Sequence, residues 1–253
     1  MTPSDHETAA TLAREAGELL LQVRTRDFAD ATARKAAGDA ESHRFLIDQL
    51  AALRPDDAVL SEEGADDPIR LVSDRVWIVD PLDGTREFSE LDRADWAVHV
   101  ALWERGELVA GAVALPAEAT TLSTVHVDEA PSRSDGPMRL AVSRSRPPAL
   151  VTDLAQRLGG ELVPMGSAGV KAMSVVRGTT DAYVHGGGQY EWDSAAPVAV
   201  ARAAGLHTSR LDGSPLRYNR PNPYLPDLLI CRRELAGRLL TELAKLAGQA
   251  PTA

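Results

Sequence analysis

Cysteine, aromatic side chains and long apolar runs are all scarce in this 253-residue chain, and each scarcity excludes something. The single cysteine, Cys231, cannot close an internal disulfide, so nothing points to an oxidising compartment. The longest apolar stretches, such as Leu19-Leu20-Leu21 and Val109 to Pro116, fall well short of the roughly 20 residues a membrane span needs. The first residues include Asp5, Glu7, Arg14 and Glu15 where a secretory signal would place an apolar block. A cytoplasmic location without membrane contact is expected. Basic residues are also in the minority: 27 Lys and Arg against 37 Asp and Glu leave a net charge of −10. Polymeric nucleic acid and anionic membranes both demand a basic face, so neither is expected as the main partner. A small anionic ligand held by a few local cations stays compatible with that balance. Apolar residues at 44% and charged residues at 25% allow a substantial core in one large domain or two compact halves.

Periodicity predicts helices over residues 6–24 and about 40–53, the first with Ala9, Leu12, Ala16, Leu19, Leu20 and Val23 near helical spacing. Ala58-Val59-Leu60 reads as a short strand, and Arg75 to Val79 as a strand buried on both faces that stops at Asp80. Trp96 to Trp103 and Leu108 to Leu115, joined by Glu104-Arg105-Gly106-Glu107, predict an antiparallel hairpin, with a further strand over 121–127. Residues 128–137 are rich in Pro, Ser, Asp and Gly and lack periodicity, which suggests a linker between halves 1–133 and 134–253. Strands over 138–143, 161–164, 181–185 and 228–231 then alternate with helices over 148–158, 168–176, 193–204 and 234–247. Such alternation indicates an α/β class, with sheet layered against helices.

Three acidic clusters stand out. Asp80-Pro81-Leu82-Asp83-Gly84-Thr85 follows the buried strand directly. An acidic residue at the end of such a strand lies where α/β proteins usually bind ligands. Two carboxylates three residues apart on a tight turn repel each other unless a cation lies between them. Hard oxygen ligands select Mg²⁺, Mn²⁺ or Ca²⁺. Taken alone, the segment also reads as an ordinary Asp-Gly turn with a capping Asp. Ser61-Glu62-Glu63-Gly64 follows another short strand and could be a solvated loop. Trp192-Asp193-Ser194-Ala195-Ala196-Pro197 puts an Asp at a helix start, where N-capping alone would explain it. Only the three together are informative.

In this order and spacing, the three segments resemble the inositol monophosphatase superfamily of metal-dependent, lithium-sensitive phosphatases, over nearly the whole chain. Within it, Val142-Ser143-Arg144-Ser145-Arg146 and the wider sequence look most like the bisphosphate nucleotidases that serve sulfate assimilation. The resemblance implies a layered α/β/α/β/α sandwich of the sugar-phosphatase type, and often a homodimer. It implies that Glu62, Asp80 and the carbonyl of Leu82 hold one Mg²⁺, and that Asp80, Asp83 and Asp193 hold a second. Asp39, beside Lys35, would help hold a third. There the chain departs from the family pattern, because Lys35-Ala36-Ala37-Gly38-Asp39 is short and lacks a Val-Thr step. Mn²⁺ would substitute for Mg²⁺ and Li⁺ would inhibit. Glu62 and Thr85 would orient the attacking water, while the amides of Gly84 and Thr85 cradle the phosphate. Paired divalent ions about 3.5–4 Å apart suit in-line hydrolysis of an unactivated phosphomonoester.

Substrate choice is expected from the second half. The amides of Gly166-Ser167-Ala168-Gly169 could meet an anion at a helix start, with Ser167 and Lys171 as substrate contacts. Lys171 matches a family position for a nucleotide 5′-phosphate. His185 stands where several relatives carry an Arg, and Arg144 and Arg146 are further anion partners or surface ion-pair residues. The expected activity is removal of the 3′-phosphate from a 3′,5′-bisphosphate nucleotide. Alternatives on the same metal site are inositol monophosphate or fructose 1,6-bisphosphate hydrolysis, and a catalytically silent nucleotide- or metal-sensing module. The remaining histidines show no metal-ligand pairing and read as structural. No Gly-x-Ser-x-Gly elbow, Walker loop or His-Glu-x-x-His occurs.

Overall fold

The computed structural model describes residues 3–132 and 135–248. The first half runs α1 (Asp5–Arg24), α2 (Ala31–Leu53), β1 (Ala58–Ser61), β2 (Arg75–Asp83), α3 (Thr85–Ser89), β3 (Ala97–Glu104), β4 (Glu107–Leu115) and β5 (Thr120–Ser123). The second runs β6 (Arg139–Ser143), α4 (Ala149–Leu158), β7 (Glu161–Met165), α5 (Ala168–Val176), β8 (Ala182–Tyr190), α6 (Glu191–Ala203), β9 (His207–Ser209), β10 (Tyr224–Cys231) and α7 (Ala236–Ala247). One five-stranded sheet has the order β1-β2-β3-β4-β5, and the other β7-β6-β8-β10-β9. β1 and β2 are parallel, as are β6 with β7 and β6 with β8; the remaining pairs are antiparallel.

Strand alternation assigns the layers. In β2, Trp77 and Val79 face α1 and α2, packing on Leu12, Leu20, Leu46 and Leu50. Val76 and Ile78 face the other way, into a core shared with Val170 and Met173 of α5, Val198 of α6 and Tyr183 and Ile230 of the second sheet. The far side of that second sheet, through Leu140, Val184 and Leu229, is covered by Val151 and Leu154 of α4 and by Leu239 of α7. The result is α/β/α/β/α, as the resemblance implied. Each half supplies one sheet, and the central layer joins them through one continuous core. The boundary between 133 and 134 lies outside the described residues. No described helix is long and apolar enough to cross a membrane.

Local departures from the expected elements matter for the site. The second helix begins at Ala31, not near 40, because Asp30 caps it by accepting from the Ala33 N–H at 2.8 Å. Lys35 to Asp39 therefore lie within a helix. Gly38, within that helix, is needed for packing: a Cβ there would sit 2.7 Å from Phe88. β2 continues through Pro81 and Leu82 to Asp83, with a register irregularity between Asp80 and Asp83. The missing Pro81 N–H is accommodated by that bulge, so the strand is bent, not ended. β8 extends to Tyr190 through three glycines, β10 starts at Tyr224, and the short β9 carries no sequence signal of its own.

Candidate active site

The bulge in β2 turns Asp80 and Asp83 toward the same point, and the first turn of α6 brings Asp193 to it. One carboxylate oxygen from each lies within 4.8 Å of the others. Asp193 is the third residue of α6, not its cap; its Oδ2 accepts the Tyr190 N–H at 2.7 Å. Glu62, just past β1, lies beside Asp80 in the lining of the same cavity. Glu62, Asp80, Leu82, Asp83, Thr85, Asp193 and Lys35 line a cavity of about 350 Å³. Asp39 does not line it; its half-buried carboxyl faces the charges of Glu63 and Lys35.

The electrostatics divide these acids into two kinds. Burial pushes Glu62 and Asp193 up to about 7, with neighbouring carboxylates adding to the rise. Asp80, fully buried among Glu62, Asp83 and Asp193, is held well above the usual carboxylate range. Asp39 is likewise raised to about 7, first by burial and then by Glu63. Asp83 behaves oppositely. Burial works to raise it, but the His99 charge and hydrogen bonds from Ser167 and Gly169 outweigh that and bring it down to about 2. Several buried carboxylates pushed out of their charged form are what a divalent cation would relieve.

Asp83 owes its state to α5. Its Oδ2 accepts from Ser167 Oγ and from the Gly169 N–H at 2.6 Å, and its Oδ1 accepts the Ala168 N–H at 3.1 Å. The expectation that this helix start would meet a substrate anion is corrected here: the anion is Asp83, 84 residues upstream of Ser167. The neighbouring amides are taken as well. Asp95 Oδ2 accepts Gly166 N–H at 2.7 Å, Asp95 O accepts Ser167 N–H at 3.2 Å, and Ser167 Oγ accepts Val170 N–H at 3.0 Å. Ser167 thus orients Asp83 and is not free to grip a ligand.

His99, one of the histidines expected to be structural, lies directly against Asp83. It is fully buried on β3, with Nε2 3.2 Å from Asp83 Oδ2 and Nδ1 3.1 Å from the Trp192 carbonyl. Nδ1 hydrogen-bonds with the Trp192 carbonyl, whereas Nε2 lies close to the Asp83 carboxylate without hydrogen-bond geometry, so that pairing is electrostatic. Although burial lowers it, the Asp83 charge raises His99 above its ordinary pKa. Gly169 makes room for the ring, since a Cβ there would lie 2.1 Å from Nε2. A histidine among the apolar residues of β3 was the available signal; its pairing with Asp83 is long-range and has no local trace.

Gly84 caps the five-residue α3 in the left-handed region at φ 86°, and Thr85 opens it. The first amides of any helix lack intrahelical acceptors, and both residues line the carboxylate cavity. A second cavity of about 520 Å³ adjoins it, sharing Asp83, Gly84, Glu87, Ser143, Arg146, Gly166 and Asp193. Its far wall carries Lys171, Tyr183, His185 and Gly186 to Gly188. Lys171 is buried, donates from Nζ to the Gly166 carbonyl, and lies 5.4 Å from the Tyr183 ring centroid. Burial lowers its pKa. His185 is pushed down to about 4, by burial and then by Lys171, so it presents a neutral ring. Of the two arginines, Arg146 lines both cavities, whereas Arg144 pairs with Glu87 at 2.8 Å and Glu90 at 2.8 Å and lines neither.

A layered α/β/α/β/α protein with buried, mutually repelling carboxylates at the mouth of an anion-sized cavity is built to hold cations against a small charged ligand. Comparison with known proteins supplies the family. The sequence profile of the inositol monophosphatase family matches residues 4–249, and the chain belongs to that family. It is 54% identical over 239 residues to the 3′-phosphoadenosine 5′-phosphate phosphatase of Mycobacterium bovis, covering 91% of this chain and 90% of that protein. It is 32% identical over 233 residues to the 3′(2′),5′-bisphosphate nucleotidase CysQ of Escherichia coli K12, covering 85% and 94%. Among solved structures, inositol monophosphatase II of Staphylococcus aureus superposes with a TM-score of 0.81 at 20% identity, covering 95% of both chains. That likeness concerns the fold alone.

Proposed function

We propose that the chain is a Mg²⁺-dependent phosphomonoesterase that removes the 3′-phosphate of 3′-phosphoadenosine 5′-phosphate, leaving AMP. The observation that carries this reading is the carboxylate cluster opening into a cavity whose far wall holds Lys171 and His185, with Arg146 where the two cavities meet, a second cationic and polar site suited to a second phosphate. The resemblance to the mycobacterial and enterobacterial nucleotidases supports that choice over inositol phosphates or fructose 1,6-bisphosphate. A cytoplasmic homodimer acting in sulfate assimilation is the accompanying proposal.

The donor set fits hard divalent ions: all oxygen, buried and otherwise repelling. Glu62, Asp80 and the Leu82 carbonyl would hold one Mg²⁺, Asp80, Asp83 and Asp193 a second, and Asp39 would assist a third, with Mn²⁺ as substitute and Li⁺ as inhibitor. Bound there, such ions neutralise phosphoryl charge and acidify water. Glu62 and the Thr85 hydroxyl orient the attacking water, with Glu62 accepting its proton. The amides of Gly84 and Thr85 donate to phosphoryl oxygens. His99 and the start of α5 keep Asp83 ionised and fixed throughout. Lys171 and neutral His185 donate to the 5′-phosphate, and Arg146 adds charge at the rim. Attack opposite the ribose oxygen inverts phosphorus and forms no phosphoenzyme.

The test is phosphate release from the bisphosphate nucleotide, inositol 1-phosphate and fructose 1,6-bisphosphate, with Mg²⁺ and with added Li⁺. Strong preference for the nucleotide and suppression by Li⁺ are expected. Equal turnover of all three would sink the nucleotide assignment, and none from any would favour a silent sensing module. Lys171→Met is expected to lower kcat/KM for the bisphosphate nucleotide about ten- to a hundredfold, as loss of a charged hydrogen bond does. Adenosine 3′-monophosphate, which lacks the second phosphate, should be affected far less. Equal losses on both substrates would remove Lys171 from 5′-phosphate recognition.

Stability should also report the cation. Carboxyls raised in the folded state stabilise it below their unfolded values near pH 4, and that contribution is lost as pH rises through about 7. Without divalent ions, this cluster should lower Tm between pH 5 and 8. Added Mg²⁺ should therefore raise Tm more at pH 8 than at pH 5.5. A thermal shift independent of pH, or larger at the acidic end, would contradict the assignment.

A further inference from the structure

Arg70 is completely buried, yet it takes no part in the chemistry above. It sits in a single 3-10 turn, Pro68–Leu71, in the loop that follows Glu62. Asp66 holds it bidentately, from Nε at 2.5 Å and Nη2 at 2.9 Å. Its Nη1 donates to Asn219 Oδ1 at 2.8 Å, and Asn219 Nδ2 donates back to the Arg70 carbonyl at 2.9 Å. Asn219, at φ 58°, donates its N–H to Glu191 Oε2 at 2.6 Å, while Arg220 N–H reaches Oε1 at 2.8 Å. Glu191 is the first residue of α6 and is itself buried.

The chain of bonds therefore starts four residues after Glu62 and ends two residues before Asp193. It ties the loop from one half of the molecule to the helix start from the other, and these two segments carry carboxylates that must converge. Every donor and acceptor in it is directional, so it fixes distance and orientation where apolar packing would tolerate sliding. A buried guanidinium is costly to desolvate, and apolar residues of similar volume often serve stability as well. A role in placement explains its presence better than a role in bulk stability.

We propose that Arg70, acting through Asn219 and Glu191, is a positioning residue that sets the cation affinity of the carboxylate site. The inference rests on the reading of Glu62, Asp80, Asp83 and Asp193 as cation ligands. Outer partners that orient ligands typically govern affinity by about ten- to a hundredfold.

The test is calorimetric titration of Mg²⁺ into the substrate-free full chain, with thermal unfolding in EDTA run alongside. Asn219→Gly removes the bridging amide while keeping the left-handed backbone unstrained. Arg70→Lys keeps the charge but loses the fork that engages Asp66 and Asn219 together. Leu239→Ala, on α7 in the distant outer layer, serves as a destabilised control. Both clamp variants should weaken the Mg²⁺ dissociation constant about tenfold, and Leu239→Ala should lower Tm with Mg²⁺ affinity unchanged. Wild-type affinity in Asn219→Gly, or equal weakening in Leu239→Ala, would overturn the proposal. Wild-type affinity in Arg70→Lys alone would remove Arg70 from it. If Arg70→Lys fails to fold, Asn219→Gly decides. Absence of Mg²⁺ binding by the wild-type chain would instead defeat the cation-site reading itself.

Discussion

Asp83→Asn should lower kcat with the bisphosphate nucleotide by at least about 100-fold, the scale on which loss of a preorganised charge is felt. The substitution conserves shape, but the groups hydrogen-bonded to the Asp83 carboxylate are all donors. Ser167 Oγ and the Ala168 and Gly169 amides donate to its two oxygens, and His99 Nε2 lies 3.2 Å from one of them. An asparagine turns one of those oxygens into an NH₂, so a donor meets donors and the cation site loses a full charge. Stability should fall as well. Asp83, held at about 2, stabilises the fold above its unfolded value near 4, and that contribution is lost only as pH drops through 2. Metal-free Asp83→Asn should therefore melt below wild type at pH 7. Phosphatase assays and thermal unfolding check both halves, and activity near wild type would contradict the shared cation site.

Asp80→Asn should produce the same loss of activity with the opposite effect on metal-free stability. Asp80 is fully buried and is pushed well above the ordinary range by burial and by Glu62, Asp83 and Asp193. Without a cation, a carboxyl raised in this way costs the fold stability once the pH is well above its unfolded value near 4. Asparagine removes that repulsion and keeps an oxygen for the Leu82 N–H, which donates to Asp80 Oδ1 at 3.1 Å. Metal-free Tm should rise at pH 8, at roughly 2–4 °C per kcal/mol for a chain this size, while kcat falls by at least about 100-fold and the Mg²⁺-induced shift in Tm shrinks. Active sites commonly trade stability for function in this way. A lower metal-free Tm than wild type would mean that Asp80 is not the strained member of the cluster.

These opposite signs could not be read from the motif. Asp80 and Asp83 stand three residues apart on one strand, and their sequence neighbourhood distinguishes them little. What separates them is long-range: the start of α5, from the other half of the chain, wraps one of them. The continuous apolar run of β2, the helical spacing of α1 and the α5 boundary were legible because local patterning and burial agree there. The bend that carries β2 past Pro81 was not, since a proline fits the end of a strand as well as a bulge and only the pairing with β3 decides between them. The sequence expectation for α2 starts too late because Ala31 to Ala37 carries no large apolar side chain, although Asp30 caps it and Gly38 packs on Phe88. The helix start at Ser167 was recognised as an anion site, and only the identity of its anion was missed. His99, Asp95 and the Arg70 clamp share one feature: each acts on a partner far away in sequence.

The acid excess of the composition acquires a place in this account. Asp80, Asp83 and Asp193 converge at one cavity mouth with Glu62 beside them, and cations held there would turn an acidic pocket into a receptor for phosphate. The most direct measurement is hydrolysis of 3′-phosphoadenosine 5′-phosphate in ¹⁸O-labelled water with Mg²⁺, followed by mass spectrometry of both products. The expected products are unlabelled AMP that retains its 5′-phosphate, and inorganic phosphate carrying a single ¹⁸O. Adenosine 3′-phosphate as the nucleotide product, label in the nucleotide, or no turnover with Mg²⁺ present would contradict it.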